Sequence, residues 1–322
     1  MSDSTIIIVT PVYNDWISLN CLLRELDQVV GKLSQPLRVL VVDDGSTQTM
    51  DLHFEPNLSA HILSIEVVRL IRNVGHQRAL CIGLVETQSY TDYEAIIVMD
   101  ADGEDTPASI DKLIEAHRLQ HESIVVAVRG RRFESLAFKL FHRLYKLLFK
   151  GLVGKNINFG NYCLIPRFLL ERLTFDSNLW NHLAATIVRA GLPLQYVPID
   201  RGTRYDGQSK MSFQNLIMHG LSAISVFVDV IFLRLLILSS LLAVLSVLGI
   251  VTVVGILLFT KLAIPGWATN AVGILSIIIF QVVIFSSSAI FFILNQRSAN
   301  VFIPSLDVGR LVKERKAIRI HD

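Results

Sequence analysis

Hydrophobic positions along this 322-residue chain follow two regimes, and the change falls near residue 230. Through residue 210, short Ile/Val/Leu runs alternate with longer stretches whose apolar residues recur at helical spacing. The runs Thr5–Thr10, Leu37–Val42, Ile65–Leu70, Ala95–Met99 and Ile124–Val128 predict strands, and the stretches around 16–31, 76–88 and 107–120 predict helices between them. Strands that are apolar almost throughout need cover on both faces. The pattern therefore predicts an α/β domain built on a mostly parallel sheet, whose ligands gather at the carboxyl ends of the strands.

Beyond residue 230 the periodicity gives way to hydrocarbon. Leu235 to Thr260 contains no charged side chain, and neither does Leu262 to Gln296. Each stretch exceeds the roughly 20 residues that cross a bilayer core, and neither has the polar face of a core helix. Lys261 to Asn270 separates them with Pro265, Gly266 and an interfacial Trp267, so the expectation is a transmembrane hairpin over 230–296. Arg297, Arg310, Lys313, Arg315, Lys316 and Arg319 follow the second span, against Lys261 alone in the connection. The positive-inside rule then puts both arms in the cytosol. The expected organisation is a cytosolic domain over 1–211, a juxtamembrane amphipathic helix over 212–229, the hairpin, and a basic cytosolic tail over 297–322. A second amphipathic segment, Glu134–Lys150, suits either the headgroup layer or packing on its own domain.

Composition agrees with this division: 52% of residues are hydrophobic, and the mean hydropathy is +0.49. A net charge of +2 gives no field for nucleic acid. Cys21, Cys81 and Cys163 show no paired spacing, which argues against disulfides or a zinc site and for a reducing compartment.

Polar residues cluster just after the predicted strands: TPVYN (10–14), VVDDGS (41–46), RNVGHQRAL (72–80) and MDADGED (99–105). One acidic residue at a strand end is most often a helix cap. Four such segments at one edge of one sheet are a site. Asp100 and Asp102, one residue apart, can jointly hold a hard divalent cation, Mg²⁺ or Mn²⁺, and through it a pyrophosphate. Neither a Walker loop nor a G-x-G-x-x-G follows a strand, which excludes the P-loop and dinucleotide modes of phosphate binding.

These segments together resemble glycosyltransferase family 2 over roughly residues 5–235. With the hairpin, the chain resembles the polyisoprenyl-phosphate glycosyltransferases, the group of the dolichol-phosphate mannose synthases and the bacterial undecaprenyl-phosphate glucosyltransferases. The resemblance implies a GT-A, Rossmann-like domain in a bacterial inner or plasma membrane. It implies a nucleotide-sugar donor, a polyprenyl phosphate acceptor, a divalent metal and a homo-oligomer. Pro11, Tyr13 and Asp44 would cradle the base, Asp100 would lie by the ribose and diphosphate, and Asp102 would be the principal metal ligand. Arg129 and Arg132 would face phosphate. Arg204, Ser209 and Lys210, within RYDGQSK (204–210), would hold the acceptor phosphate or donor diphosphate, or else lipid headgroups. Asn73, Gly75, Ala79 and Gly83 match a stretch that serves helix start and close packing.

Two positions depart from the family pattern. Asn161, in FGNYCL (159–164), stands where the family usually has an aspartate near the acceptor, and Glu104 replaces a usual glutamine. A phosphate monoester has a second pKa near 6 and is already a nucleophile at neutral pH, so a lipid phosphate needs no general base. Asn161 is then expected to orient donor or acceptor by hydrogen bonding. The expected reaction is inverting transfer of a hexose, for example from UDP-glucose, onto undecaprenyl phosphate. Another glycolipid or polysaccharide acceptor, and a catalytically silent membrane scaffold, are the alternatives.

Overall fold

The computed structural model describes residues 5–31, 33, 35–51, 61–129, 147, 149–206, 213–260, 264–298 and 301–320. They form two compact units, one of residues 1–144, 155–226 and 302–322, the other of 145–154 and 227–301. Arg132, Ser209, Lys210 and most of Glu134–Lys150 lie outside the described residues.

The first unit is built on an eight-stranded sheet, counted among the described residues, in the order β7-β5-β6-β4-β1-β2-β3-β8. Its strands are β1 (Ile6–Val12), β2 (Leu37–Asp43), β3 (Ile62–Leu70), β4 (Ala95–Val98), β5 (Ile124–Arg129), β6 (Cys163–Pro166), β7 (Leu194–Ile199) and β8 (Val312–Ile320). The central β3-β2-β1-β4 set is parallel, β6 runs antiparallel between β4 and β5, and β8 runs antiparallel along β3. This mixed, mostly parallel sheet with helices on both faces is the GT-A architecture.

Alternation along β1 explains why the whole strand is apolar. Ile6 and Ile8 pack into a core with Leu19, Leu22 and Leu26 of helix α1 (Trp16–Val30) and Leu113 of helix α3 (Ile110–Leu119). Ile7 and Val9 face the opposite core with Leu80, Ile82 and Leu84 of helix α2 (His76–Glu86). Gly83 lets α2 approach closely, since a Cβ there would come within 2.5 Å of Val9 Cγ1 and 2.8 Å of Val42 Cγ2. Gly83→Ala is expected to overpack this contact, costing about 1–3 kcal/mol against a helix-propensity gain of about 1 kcal/mol. A lower Tm of the purified protein, with unchanged circular dichroism, is the readout.

Residues 297–322, expected as a basic tail, instead carry β8, which pairs Glu66 with Ala317 and Leu70 with Val312. Lys313, Glu314, Arg315 and Lys316 gave the segment the look of a solvated tail. Charge of this kind is what an edge strand uses to discourage pairing with other chains. Arg315 Nε donates to Glu66 Oε2 at 2.8 Å, and its guanidinium lies 4.8 Å from the Tyr90 ring centroid.

In the second unit, helices Val228–Phe259 and Trp267–Asn295 are each long and apolar enough to cross a membrane, with window hydropathies of 2.9 and 2.6. They pack on one another through small contacts. Gly249 faces Leu275, Ser239 Oγ lies 3.2 Å from Ser286 Oγ, and Phe232 stacks on Phe292 at 4.8 Å. Leu238, Leu245, Ile277, Phe280 and Phe291 are exposed around the pair, as side chains facing lipid are. Within the 212–229 stretch, a helix runs over Phe213–Ser225, in the first unit.

Candidate active site

The carboxyl ends of β1, β2 and β4 and the loop before α2 meet at one edge of the sheet and are stitched by side-chain to backbone hydrogen bonds. Asn14, in the left-handed region at φ 48°, accepts from the backbone N–H of Thr47 and Gln48 through Oδ1. Its own N–H donates to Ser46 Oγ at 2.9 Å. Asp43 Oδ1 accepts from the Ser46 N–H at 2.8 Å and pairs with Arg69.

Asp44 is 3% exposed. Both of its oxygens are engaged: Oδ1 accepts from the Val74 N–H at 2.7 Å, and Oδ2 from the Gly75 N–H at 3.0 Å. Burial raises its pKa, and these two bonds and the nearby His76 offset only part of that rise. Gly45 completes the join. It sits at φ 69°, and a Cβ there would lie 2.5 Å from the Arg72 carbonyl carbon. Pro11 is buried within β1, while Tyr13 just beyond it is 44% exposed with its ring at the surface.

Asp100, Asp102, Glu104 and Asp105 crowd the turn after β4. Asp105 is fully buried, and its Oδ2 accepts from the Asp100 N–H at 2.9 Å, which shapes the turn. Asp102 Oδ1 accepts from the Glu104 N–H at 3.0 Å. Gly103, at φ 89°, makes room for the incoming 201–205 segment, where a Cβ would meet Thr203 O at 2.8 Å. That segment is held by the Tyr205 N–H donating to Asp102 O at 2.9 Å and the Gly202 N–H to Glu104 O at 3.0 Å. Arg204 pairs with Asp102 Oδ2 at 2.5 Å, and Arg201 pairs with Glu104. Burial first, then the Asp100 charge, raise the Asp102 pKa above the ordinary carboxylate value in spite of Arg204. Asp100, Asp102, Glu104 and Asp105 set four carboxyl groups against the guanidinium groups of Arg201 and Arg204. A set of hard oxygen donors in that condition fits a divalent cation of the Mg²⁺ or Mn²⁺ type.

His76 is the first residue of α2 and lies within RNVGHQRAL, a segment whose spacing alone assigns it no chemistry. Its Nε2 lies 3.3 Å from Asp100 Oδ1 and 3.0 Å from Asn161 Nδ2. Asn161 arrives because β6 is antiparallel to β4, so the residues before β6 fall beside the end of β4. The Leu183 N–H donates to Gln77 Oε1, so Gln77 Nε2 donates to Asn161 Oδ1 and the Asn161 amide NH₂ is turned toward His76. Asp100 favours a proton on the same nitrogen that the amide would use as an acceptor. Burial works to lower the His76 pKa, and Asp100, Asp102 and Asp105 outweigh it, leaving the ring above its ordinary value.

Behind this group, His182 Nε2 is 3.2 Å from His219 Nε2. Burial and the neighbouring His219 push His182 down to about 3, so it stays neutral. His182 Nδ1 accepts from the Ala185 N–H, which leaves Nε2–H to donate to His219. Isolated histidines in separate segments gave no sequence signal for this pairing. Arg129 ends β5, two strands along from β4 at the same edge.

The mostly parallel sheet carries an acid-rich turn at the carboxyl end of β4, as expected of a glycosyltransferase domain. The profile of the family described as "Glycosyl transferase family 2" matches residues 7–177, and the chain belongs to that family. It is 28% identical over 283 residues to the undecaprenyl-phosphate 4-deoxy-4-formamido-L-arabinose transferase of Salmonella choleraesuis (strain SC-B67), covering 85% of this chain and 82% of that one. The same enzyme from Salmonella newport (strain SL254) matches at the same identity and coverage. Among solved structures, mannosyl-3-phosphoglycerate synthase from Rubrobacter xylanophilus superposes with a TM-score of 0.48 at 15% identity, over 70% of this chain and 73% of that one. Glucosyl-3-phosphoglycerate synthase from Mycobacterium tuberculosis, in complex with Mn²⁺, UDP-glucose and phosphoglyceric acid, gives 0.48 at 14% identity, over 71% and 80%.

Proposed function

We propose that this chain is an integral membrane enzyme that transfers a hexose, for example from UDP-glucose, to a polyprenyl phosphate such as undecaprenyl phosphate, with inversion at the anomeric carbon. The product would be a polyprenyl-phosphate sugar for cell-envelope glycosylation. The observation that carries the reading is the Asp100/Asp102 turn with Arg201 and Arg204 tied to it, in a family 2 chain that also has two apolar spans. The relatives' names, which specify undecaprenyl phosphate, support the acceptor. β8 supports a shared cytosolic side for both arms, because the chain before the first span and after the second contributes to one sheet, as an even number of crossings requires.

In the reaction, an oxygen of the lipid phosphate attacks the anomeric carbon. The bond from that carbon to the β-phosphate oxygen breaks, and the nucleoside diphosphate leaves with the bonding pair. Tyr13, exposed beside the β1 and β2 loops, offers a ring face to the base, and Pro11 sets the path of the chain below it. Asp44 holds the 73–75 loop and has lone pairs left for a base N–H. Asp100 and Asp102 would hold the divalent ion, Mg²⁺ or Mn²⁺, which when bound supplies charge neutralisation for the departing diphosphate. Arg201 and Arg204 offset part of the charge of the acidic turn and are the cations a diphosphate entering the site would meet. Arg129 and Arg132 are proposed to face phosphate, and Ser209 and Lys210, with Arg204, to hold the acceptor phosphate or the donor diphosphate. Placing two anions together is the main task, since the nucleophile is already ionised.

Asn161, whose Oδ1 is held by Gln77 Nε2, is proposed to orient donor or acceptor by hydrogen bonding. Asn161→Ala is expected to lower kcat about 10-fold, the equivalent of one hydrogen bond of ~1.4 kcal/mol, while UDP affinity stays within about twofold. Steady-state kinetics with a calorimetric UDP titration check it, and a kcat equal to wild type would remove Asn161 from the scheme.

A further inference from the structure

A second group of ligating side chains lies at the opposite edge of the sheet. Glu94 immediately precedes β4, six residues before Asp100, which along an extended strand is about 20 Å away. His117 is in the last turn of α3 and His121 follows just after it, four positions on. α3 runs back across the sheet and delivers both rings to Glu94. His117 Nε2 is 3.4 Å from Glu94 Oε1, and His121 Nδ1 is 4.0 Å from the same oxygen. One ligand atom from each residue lies within 4.8 Å of the others.

We propose that Glu94, His117 and His121 form a binding site for a borderline divalent cation of the Zn²⁺ type, separate from the catalytic carboxylates. Two imidazoles and one carboxylate are a zinc donor set with a fourth position left for water, and they discriminate against Mg²⁺, which prefers oxygen. Tetrahedral bonds of about 2.0–2.1 Å put ligand atoms about 3.3 Å apart. The His117–Glu94 separation already has that value, and His121, with 63% of its side chain exposed, has room to close the rest.

Outer support is present at the carboxylate. Gln35, 7% exposed, donates from Nε2 to Glu94 Oε2 at 2.9 Å, which leaves Oε1 turned to the histidines. Support is lacking at His117, whose Nδ1 is buried with no hydrogen-bond partner. Affinity is therefore expected about 10- to 100-fold below that of a site with complete outer partners. Occupancy would fasten the end of α3 to the start of β4 and stabilise the folded domain by linkage.

The inference is independent of the transferase reading. Its test uses untagged full-length protein in detergent, stripped with EDTA and titrated with Co²⁺ and then Zn²⁺. The expected result is one equivalent of tetrahedral cobalt absorption, displaced by Zn²⁺ but not by Mg²⁺, in wild type and in Asp102→Asn alike. His121→Ala, an exposed substitution that leaves the core intact, and Glu94→Gln should each weaken Zn²⁺ binding at least about 10-fold. A wild type without the cobalt band, or a His121→Ala protein that keeps it at wild-type affinity, overturns the proposal.

Discussion

Asp102→Asn is expected to lower kcat/KM for sugar transfer by about 10³-fold while leaving the Tm unchanged or higher. The two halves of this expectation have one cause. Burial and the Asp100 charge hold the Asp102 pKa above its ordinary 3.8, so the folded chain binds this proton more tightly than the unfolded chain does. Stability then falls as pH rises from 3.8 through the raised folded value, and at neutral pH the ionised carboxylate is a net cost to the fold. An amide of the same shape removes that cost and keeps an oxygen to accept from the Glu104 N–H. It also removes the charge that would hold a cation and diphosphate. The same linkage predicts that the Tm of Asp102→Asn relative to wild type rises between pH 4 and 8 in metal-free protein. Kinetics from pH 4 to 8, with thermal melts of both proteins, check both halves; a variant that loses stability along with activity would make Asp102 a structural residue.

Asp44→Ala has the second large effect, and here fold and function fall together. The Asp44 carboxylate alone accepts from both the Val74 and Gly75 N–H groups in a part-buried setting. Removing it strands two donors, a loss of about 3 kcal/mol and a Tm lower by roughly 6–12 °C. The 72–75 segment packs tightly against Gly45, so its release would also disturb the β1 and β2 loops, and nucleotide binding should disappear. Asp44→Asn keeps one accepting oxygen and sets an NH₂ against the other backbone N–H, so about half of the Asp44→Ala loss in Tm is expected. UDP binding weakened as far as in Asp44→Ala assigns Asp44 to the base, whereas normal UDP binding leaves it only the loop.

The central strands were legible because β1, β2 and β4 are buried on both faces and so read as unbroken aliphatic runs. The apolar helices were legible because lipid tolerates no polar stripe. β6 and β7 were missed: β6 is four residues long, and β7 is only partly buried, with Gln195 and Tyr196 breaking the pattern. β8 was missed because an edge strand carries charge where a central strand carries valine. Within the site, Asp44, Asp100 and Asp102 follow strands directly, so local sequence located them. Asn161 is brought in by antiparallel β6, Arg201 by the chain returning after β7, and the His182–His219 pair by two helices far apart in sequence, and no local spacing announces contacts made that way. The structure also gave Asp44 a structural duty, holding two backbone amides, that its motif did not convey.

The most direct test offers a panel of nucleotide-sugars to the purified chain in membranes containing undecaprenyl phosphate, with the lipid fraction analysed by mass. The account predicts an undecaprenyl-phosphate hexose from one donor, formed by wild type and not by Asp102→Asn. Wild-type protein that binds UDP-sugar in the presence of Mn²⁺, yet forms no lipid-linked sugar from any donor in the panel, would contradict it.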